Sequence, residues 1–377
     1  MQRRTSGGSR GVNARYRRSA PLVMYWEDGE LIFENYALRT RMSADPLVCS
    51  ILNYCHEWRS ARSICSHLNV NATTSVRAAL KKLHANGVLD RFGDAPDPRA
   101  EAMNEWSAWN PAAGFFHFST KDTEFAQNQA KAFADWTKQN GSKKMPLPVK
   151  RYPNAARTQL PKVKTHGEFP DVLLNRRTWR KYGRGAVSRE SLSQILKLTF
   201  GIHGWVDVPG GGRAAMKTAP SGGDLHPIEA YAVVQRVEGV RPGVYHYNAA
   251  RHALERIRKE IPRRDLERNL GGQWWFAGAA FLVVMTAVSG RTRWKYEFPR
   301  AYRALLLEAG HLGQSFCLVA TWKGLAPFST IAMKDTKWEE WLGIDGVKES
   351  VVYVLGAGNR PEAEEMRNAH LGMLCKR

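Results

Sequence analysis

The chain has 377 residues, of which 43% are apolar and 24% charged, and its formal net charge is +21. This composition is typical of a globular protein and excludes a wholly disordered or fibrous chain. The length suggests two domains, or three small ones. The five cysteines form no CxxC pair, which excludes a disulfide framework and favours a reducing cytoplasm as the location.

The hydropathy pattern predicts no membrane span. The longest apolar run, at 274–288, is shorter than the ~20 residues that cross a bilayer, and it has the composition of a buried strand. Residues 1–20 contain several arginines and no acidic residue, but no apolar stretch follows them. They are therefore predicted to be a disordered basic tail rather than a secretory signal. The positive charge favours acidic partners without choosing among them.

Residues 21–93 have the pattern of a small winged-helix-like domain. The Asp28-Gly29 dipeptide between two apolar runs is a hairpin signal. Three helical patterns follow, and a strand pattern at 88–92 comes after them. The residues placed to cap or end these helices are Ser60, Thr73 or Thr74, and Gly87.

The remainder of the chain divides into a linker and a large domain. Residues 94–168 are rich in proline and are predicted to be a linker region, interrupted by a helix from about 122 to 139. Residues 169–377 alternate helical patterns with short apolar strands, which indicates an α+β fold. The long helical pattern at 300–323 is that of a core helix or of a self-association surface.

Two clusters could hold a phosphorylated ligand. Arg176 and Arg180 flank Thr178, and two guanidinium groups with a hydroxyl suit a phosphate, although a solvated basic surface would look the same. Ser221-Gly222-Gly223 lies just before a predicted strand, where paired glycines let backbone N–H groups approach a ligand. A plain turn is the alternative for this loop.

A third candidate is Lys295-Tyr296, which lies between an apolar strand and the long helix. A lysine beside a tyrosine favours the phenolate, which could accept a proton, although such a dipeptide is usually structural. The cysteines and histidines lack zinc spacings, so no metal site is predicted. No hydrolase or nucleotide-triphosphatase motif occurs.

Taken in order, these segments resemble the SagB-type branch of the FMN-dependent nitroreductase superfamily. The resemblance covers about 169–360 and is carried by five motifs. They are Arg176-Arg177-Thr178-Trp179-Arg180-Lys181-Tyr182, the loop from Pro220 to Tyr231, Gly243-Val244-Tyr245-His246-Tyr247, Lys295-Tyr296, and Leu307-Glu308-Ala309-Gly310-His311-Leu312-Gly313-Gln314.

The resemblance implies an α+β domain that holds FMN at a homodimer interface. Arg176, Thr178 and Arg180 match positions that bind the ribityl phosphate. Ser221, Gly222 and Gly223 match the loop that touches the isoalloxazine ring. Further matches, for the loop that covers the ring and for a late phosphate contact, are Gly324-Leu325 and Arg360.

The resemblance also implies an activity, the oxidation of thiazoline or oxazoline rings in ribosomally made peptides, in which a base removes the Cα proton. Lys295 and Tyr296 match the pair assigned to that proton step. The winged-helix-like part resembles modules that bind leader peptides, which are often acidic, and a cyclodehydratase would be a further partner. No membrane partner is expected.

Because of two departures from the family pattern, the sequence does not identify which peptide residue is oxidised. Glu297-Phe298-Pro299 lengthens the segment after the pair, and Asp224 is acidic where a small residue is usual. Desaturation of another peptide residue would use the same chemistry. The alternatives are a general NAD(P)H-dependent nitro- or quinone reductase and, from a different class, a flavin-sensing DNA-binding regulator. Nucleic acid is the less favoured partner.

Overall fold

The computed structural model describes residues 14–70, 74–95, 103–126, 129–140, 159–162, 165–207 and 212–362. Contacts divide the chain into two compact units. The first contains Met1–Lys121 and Arg293–Tyr302, and the second contains Asp122–Thr292 and Arg303–Arg377. The short segment Arg293–Tyr302 thus belongs to a unit from which it is distant in sequence.

The first unit begins with two small antiparallel sheets. Strands β2 (Leu22–Glu27) and β3 (Glu30–Asn35) form the predicted hairpin, and β4 (Thr40–Ser43) pairs with β3. Asp28 and Gly29 have φ values of 51° and 82°, so both turn residues adopt the left-handed backbone that a tight hairpin requires.

Part of the predicted basic tail is ordered, which corrects that prediction. Residues 1–13 lie outside the described residues, but Arg15–Arg18 form strand β1 between β5 (Arg59–Ser60) and β6 (Leu89–Arg91). The reason is that Tyr16 is buried in the core of this unit while its arginine neighbours stay exposed. One apolar residue among arginines is too weak a signal to predict a strand.

Three helices complete this part of the unit: α1 (Leu47–Tyr54), α2 (Ala61–His67) and α3 (Thr74–Ala85). The Ser60 hydroxyl accepts a hydrogen bond of 3.1 Å from the Ser63 N–H, which confirms the predicted cap of α2. Gly87, beyond α3, has a φ of 69°. The side chains that these elements bury together include Phe33, Leu52, Ile64, Leu80 and Leu89.

The region predicted to be a linker contains a packed segment. A 3₁₀ turn (Glu105–Trp109) leads directly into α4 (Asn110–Ser119), and Trp106, Trp109 and Phe118 are buried. The helix predicted from about 122 starts later, since α5 spans Gln129–Asn140. Residues 127–128 lie outside the described residues.

The second unit is built on a six-stranded antiparallel sheet with the order β11-β10-β9-β12-β14-β13. Strand β12 is buried along nearly its whole length, which explains the longest apolar run of the sequence. No helix among the described residues is long and apolar enough to cross a membrane. The strands of the sheet are β9 (Ile228–Val234), β10 (Gly243–Asn248), β11 (Ala253–Lys259), β12 (Phe281–Val288), β13 (Leu325–Thr330) and β14 (Glu349–Asn359).

Helices pack around this sheet, and a two-stranded ribbon, β7 (Gly204–Asp207) with β8 (Arg213–Met216), precedes it. The mixture of helix and sheet agrees with the predicted class. The helices are α6 (Glu168–Asn175), α7 (Arg189–Phe200), α8 (Arg263–Asn269), α9 (Ser289–Arg293), α10 (Ala301–Trp322) and α11 (Asp335–Leu342).

The long helix α10 has two different faces. Leu305, Leu312 and Phe316 are buried, and they give this helix its inner face. On the opposite face Leu306 and Leu307 are exposed, and Leu307 keeps 63% of its surface accessible. Helix α10 is therefore a core helix that also presents apolar side chains outward.

The cap of α2 gives a test of the first unit. We expect Ser60→Ala to lower the free energy of unfolding by ~0.5–2 kcal/mol, because the Ser63 N–H loses its acceptor. Ser66→Ala, at an exposed site in the same helix, is the control and should change stability little. Urea unfolding of both variants measures the difference, and equal stabilities would contradict the cap.

Candidate active site

Three arginines, Arg176, Arg180 and Arg360, form what we call the arginine group. The backbone at Trp179 ties the first two to the sheet, because its N–H donates to the Pro327 carbonyl at 3.0 Å. Trp179 is only 6% exposed, whereas Arg176, Arg180 and the intervening Thr178 are half-buried. The segment is thus anchored by its tryptophan and leaves its polar side chains available.

Arg360 extends the group from the end of β14. Its Nε donates to the Leu325 carbonyl at 3.3 Å and its Nη2 to the Thr321 carbonyl at 3.4 Å. Its guanidinium carbon lies 5.6 Å from the centre of the Trp179 ring. The structure therefore brings Arg360, the Gly324-Leu325 turn and the Trp179 segment together. Gly324 has a φ of 73°, a conformation that favours glycine.

The arginine group is a site of uncompensated positive charge. Among the described residues, no carboxylate lies within 4.0 Å of these three guanidinium groups. Burial raises the pKa of the Cys317 thiol to about 11, while the positive charge of nearby Arg176 acts in the opposite direction. Burial likewise raises the pKa of the Tyr182 phenol, against the effect of Arg180. Such a donor set suits a dianionic phosphate.

The Ser221-Gly222-Gly223 segment forms a second site, which we call the glycine loop. Gly222–Asp224 make a short 3₁₀ turn, and Gly223 has a φ of 69°. The Asp224 N–H is bonded to the Ser221 carbonyl at 3.2 Å. The N–H groups of Gly222 and Gly223 have no acceptor among the described residues, and both glycines are exposed. Two adjacent free donors suit the carbonyl and nitrogen edge of a planar ring.

A buried carboxylate holds the glycine loop in place. The Ser221 hydroxyl donates to Glu308 on α10 and accepts a bond of 2.9 Å from the His226 N–H. Glu308 is 3% exposed, and its Oε1 lies 3.7 Å from Nδ1 of His226. Sequence reasoning assigned Glu308 no role of its own. The signal that could have identified it is an acidic residue within the long helical pattern, at a position where the neighbouring residues on the same face are apolar.

A second group of charged side chains lies near His226, the residue that follows the glycine loop and contacts Ser221. Arg291 pairs with Glu229 and donates to the His226 carbonyl at 2.9 Å. The hydrogen bonds that the His246 ring donates to Glu229 and then to Glu255 raise the pKa of His246 to about 9, against the effect of burial. Burial lowers the pKa of Lys217, although the carboxylate of Glu229 opposes this shift. Arg291 links this set to His226, which follows the glycine loop, and sequence reasoning missed these charged groups.

Lys295 and Tyr296 lie in the first unit, in the segment between α9 and α10, whereas the arginine group and the glycine loop lie in the second. Lys295 is exposed, and its Nζ is 5.6 Å from the centre of the half-buried Tyr296 ring. The Tyr296 ring is also 5.8 Å from that of Phe298. The two side chains of the pair are thus neighbours, and their catalytic role stays a prediction.

The model of the nitroreductase family matches residues 173–359, which include Arg176, Arg180 and the whole glycine loop and end one residue before Arg360. The nitroreductase-like protein MJ1384 of Methanocaldococcus jannaschii is 33% identical over 204 residues, which are 54% of this chain and 96% of that protein. The chain belongs to the nitroreductase family.

Two further relatives come from Rhizobium leguminosarum bv. trifolii. The trifolitoxin-processing protein TfxB is 32% identical over 152 residues, or 37% of this chain and 39% of TfxB. The trifolitoxin operon protein TfxC is 26% identical over 315 residues, or 79% of this chain and 85% of TfxC. These relatives support the SagB-type resemblance. The solved McbBCD microcin synthetase complex of E. coli, with truncated pro-MccB17 bound, gives a TM-score of 0.40 at 20% identity over 62% of this chain and 93% of that chain.

The arginine group can be tested by flavin content. If the arginine group binds the phosphate of a flavin, we expect Arg180→Ala to weaken flavin binding about 10- to 100-fold, because a charge-assisted hydrogen bond contributes ~1.5–3 kcal/mol. Arg177→Ala is the matched control, since the Arg177 guanidinium donates to the Leu174 and Arg176 carbonyls instead. Titration of the apoprotein with FMN measures both affinities. An equal loss in the two variants would contradict a specific phosphate contact.

Proposed function

We propose that this member of the nitroreductase family is an FMN-dependent dehydrogenase that oxidises a residue or an azoline ring in a ribosomally made peptide. The observation that carries the flavin part is the presence, in the described part of the chain, of an arginine group with no carboxylate within 4.0 Å and of a glycine loop with two N–H groups that have no acceptor. The similarity to the trifolitoxin-processing protein TfxB supports a peptide as the substrate.

The residues present fit FMN. Arg176, Arg180 and Arg360, with Thr178, would hold the phosphate, and the N–H groups of Gly222 and Gly223 would donate to the ring edge. When bound, FMN supplies a two-electron acceptor for the hydride that leaves the substrate. The protein would position FMN and the substrate and would supply the positive charges that bind the phosphate.

The substrate loses one proton and one hydride in the proposed reaction. A base takes the Cα proton, the hydride leaves Cβ, and the electron pair of the Cα–H bond forms a Cα=Cβ double bond. We assign the proton step to Lys295 and Tyr296, which match the family's pair.

The described part of residues 21–93 is proposed to bind the leader segment of the precursor peptide. Helix α3 exposes Arg77, Lys81 and Lys82, and it contains no acidic residue. This surface suits an acidic peptide, in agreement with the net charge of +21. A DNA-binding regulator would use the same surface, and it would show duplex affinity that falls steeply with salt.

Two protomers are proposed to complete each flavin site. Glu308, which holds the glycine loop, and Thr321, which contacts Arg360, are separated by about 20 Å along α10 at 1.5 Å per residue. Antiparallel pairing of two α10 helices, with the exposed Leu307 of one helix opposite the partly exposed Trp322 position of the other, would bring the loop of one protomer towards the arginine group of its partner. One protomer alone would then not contain a complete flavin site.

The dimer can be tested on α10. Leu307→Glu should give a monomer that binds FMN poorly, because a charge would be buried in the proposed interface. Leu198→Glu, at a site 42% exposed on α7, is the control and should stay dimeric and yellow. Light scattering and flavin absorbance measure both properties. A Leu307→Glu protein that remains dimeric would exclude this face.

The proton step has a separate test. Lys295→Ala and Tyr296→Phe should keep FMN and the dimer but slow peptide oxidation ~10²–10⁴-fold, the usual contribution of a general base. Mass spectrometry of the precursor peptide measures turnover, and dithionite reduction of the flavin should be unchanged. If both variants oxidise the peptide at wild-type rates, the pair is structural and His226 becomes the next candidate.

A second candidate function is an NAD(P)H-dependent nitro- or quinone reductase, which the similarity to MJ1384 favours. It would use the same phosphate and ring contacts but would need space for a nicotinamide. Rapid anaerobic bleaching of the flavin by NADPH, without any peptide, would support this function over peptide oxidation.

A further inference from the structure

We propose that the 3₁₀ turn at Glu105–Trp109 and helix α4 position the Lys295-Tyr296 pair, so that Trp109 in particular is a positioning residue for the proton step. The inference rests on the proposed function of the pair. All of the residues that carry it lie within the first unit.

The first contact holds the start of the segment. Nη2 of Arg293 lies 2.7 Å from Oε2 of Glu105, and Nη1 of Arg293 donates to the Glu105 carbonyl. The Arg293 side chain is only 10% exposed. A buried guanidinium that is paired in this way resists displacement, because moving it away would leave a desolvated charge without its partner.

The second contact reaches the pair itself. Nε1 of Trp109 donates a hydrogen bond of 2.8 Å to the carbonyl oxygen of Tyr296. Trp109 has no exposed surface, and its ring packs edge-on against Trp106 and Tyr302. An indole N–H is only a donor, so this bond fixes the direction of the Tyr296 carbonyl. The peptide group that follows Tyr296 is therefore held by a rigid, buried side chain.

The third contact holds the end of the segment. The hydroxyl of Tyr302 and Nδ1 of His117 on α4 are 2.7 Å apart. Burial lowers the pKa of His117 to about 3, so the imidazole stays neutral near pH 7 and this contact is not an ion pair. The segment is thus tied at its two ends and at Tyr296.

The side chains between these ties point away from the core. Trp294, Lys295 and Phe298 are exposed, and Tyr296 is half-buried. A backbone that is fixed while its side chains remain accessible is what a positioned acid–base pair needs. The extra residues Glu297-Phe298-Pro299 lengthen the segment, and the Trp109 bond fixes the backbone immediately before them.

The test compares two tryptophans of the same cluster in the full-length protein. Trp109→Phe keeps an aromatic ring but removes the donor to the Tyr296 carbonyl. Trp106→Phe makes the same change in size at a neighbouring buried site and leaves that bond in place. The measurements are FMN content, hydrogen exchange of peptides that cover 293–300, and kcat and KM for peptide oxidation.

We expect Trp109→Phe to speed exchange over 293–300 and to lower kcat ~10²-fold, as a displacement of about 1 Å does, with KM and FMN content unchanged. Trp106→Phe should have a much smaller effect on both. Unchanged exchange and kcat in Trp109→Phe, or equal effects of the two variants, would overturn the inference.

The outcome also separates this inference from the proposed function. If Lys295→Ala and Tyr296→Phe lose turnover but Trp109→Phe behaves as wild type, the anchoring is wrong and the proposed function stands. If both pair variants keep turnover, the proposed function fails and the positioning role fails with it. Faster exchange over 293–300 in Trp109→Phe would then show only a structural bond.

Discussion

The arrangement of the candidate site depends on one buried carboxylate. Glu308 has almost no contact with solvent, and a charge in that position is costly unless hydrogen-bond donors satisfy it. The Ser221 hydroxyl supplies one donor, and His226 stands nearby. Ser221 in turn accepts the His226 N–H, so a single hydroxyl closes the turn and ties it to α10. While Ser221 makes these contacts, the N–H groups of Gly222 and Gly223 have no acceptor in the part of the chain that the structure describes.

The same helix contacts both the glycine loop and Arg360 of the arginine group. Its N-terminal half carries Glu308, which fixes the glycine loop, and its C-terminal end offers the Thr321 carbonyl to Arg360. Between them, Cys317 lies close to Arg176. Because α10 is a continuous helix of 22 residues, it fixes the distance between its contact with the glycine loop and its contact with Arg360. The exposed Leu306 and Leu307 lie on the part of α10 that we propose to form the dimer interface.

Local signals made much of the fold predictable. Asp28-Gly29 marked a hairpin, Ser60 marked a helix start, and the 300–323 pattern marked α10. These elements depend on turn chemistry and periodicity, which a short stretch of sequence contains. Arg176, Arg180 and Ser221 were also found from local motifs. Their roles in binding FMN stay predictions, as do the domain boundaries.

Features that depend on distant partners were not predictable in this way. The 3₁₀ turn at Glu105–Trp109 follows no helical period, and its tryptophans pack against distant residues: Trp109 donates to the Tyr296 carbonyl, and both rings contact Tyr302. The tail strand at Arg15–Arg18 exists because β5 and β6 flank it. The role of Glu308 required knowing that Ser221 lies beside it, although 87 residues separate them in sequence.

The membership of Arg293–Tyr302 in the first unit has a practical consequence. If the second unit binds FMN as proposed, a preparation in which the first unit has been cleaved or partly unfolded would keep its yellow colour, since the arginine group and the glycine loop belong to the second unit. Absorbance at the flavin band would then report cofactor loading but not competence. Batches of equal colour could differ widely in specific activity, and storage losses would be visible only in turnover.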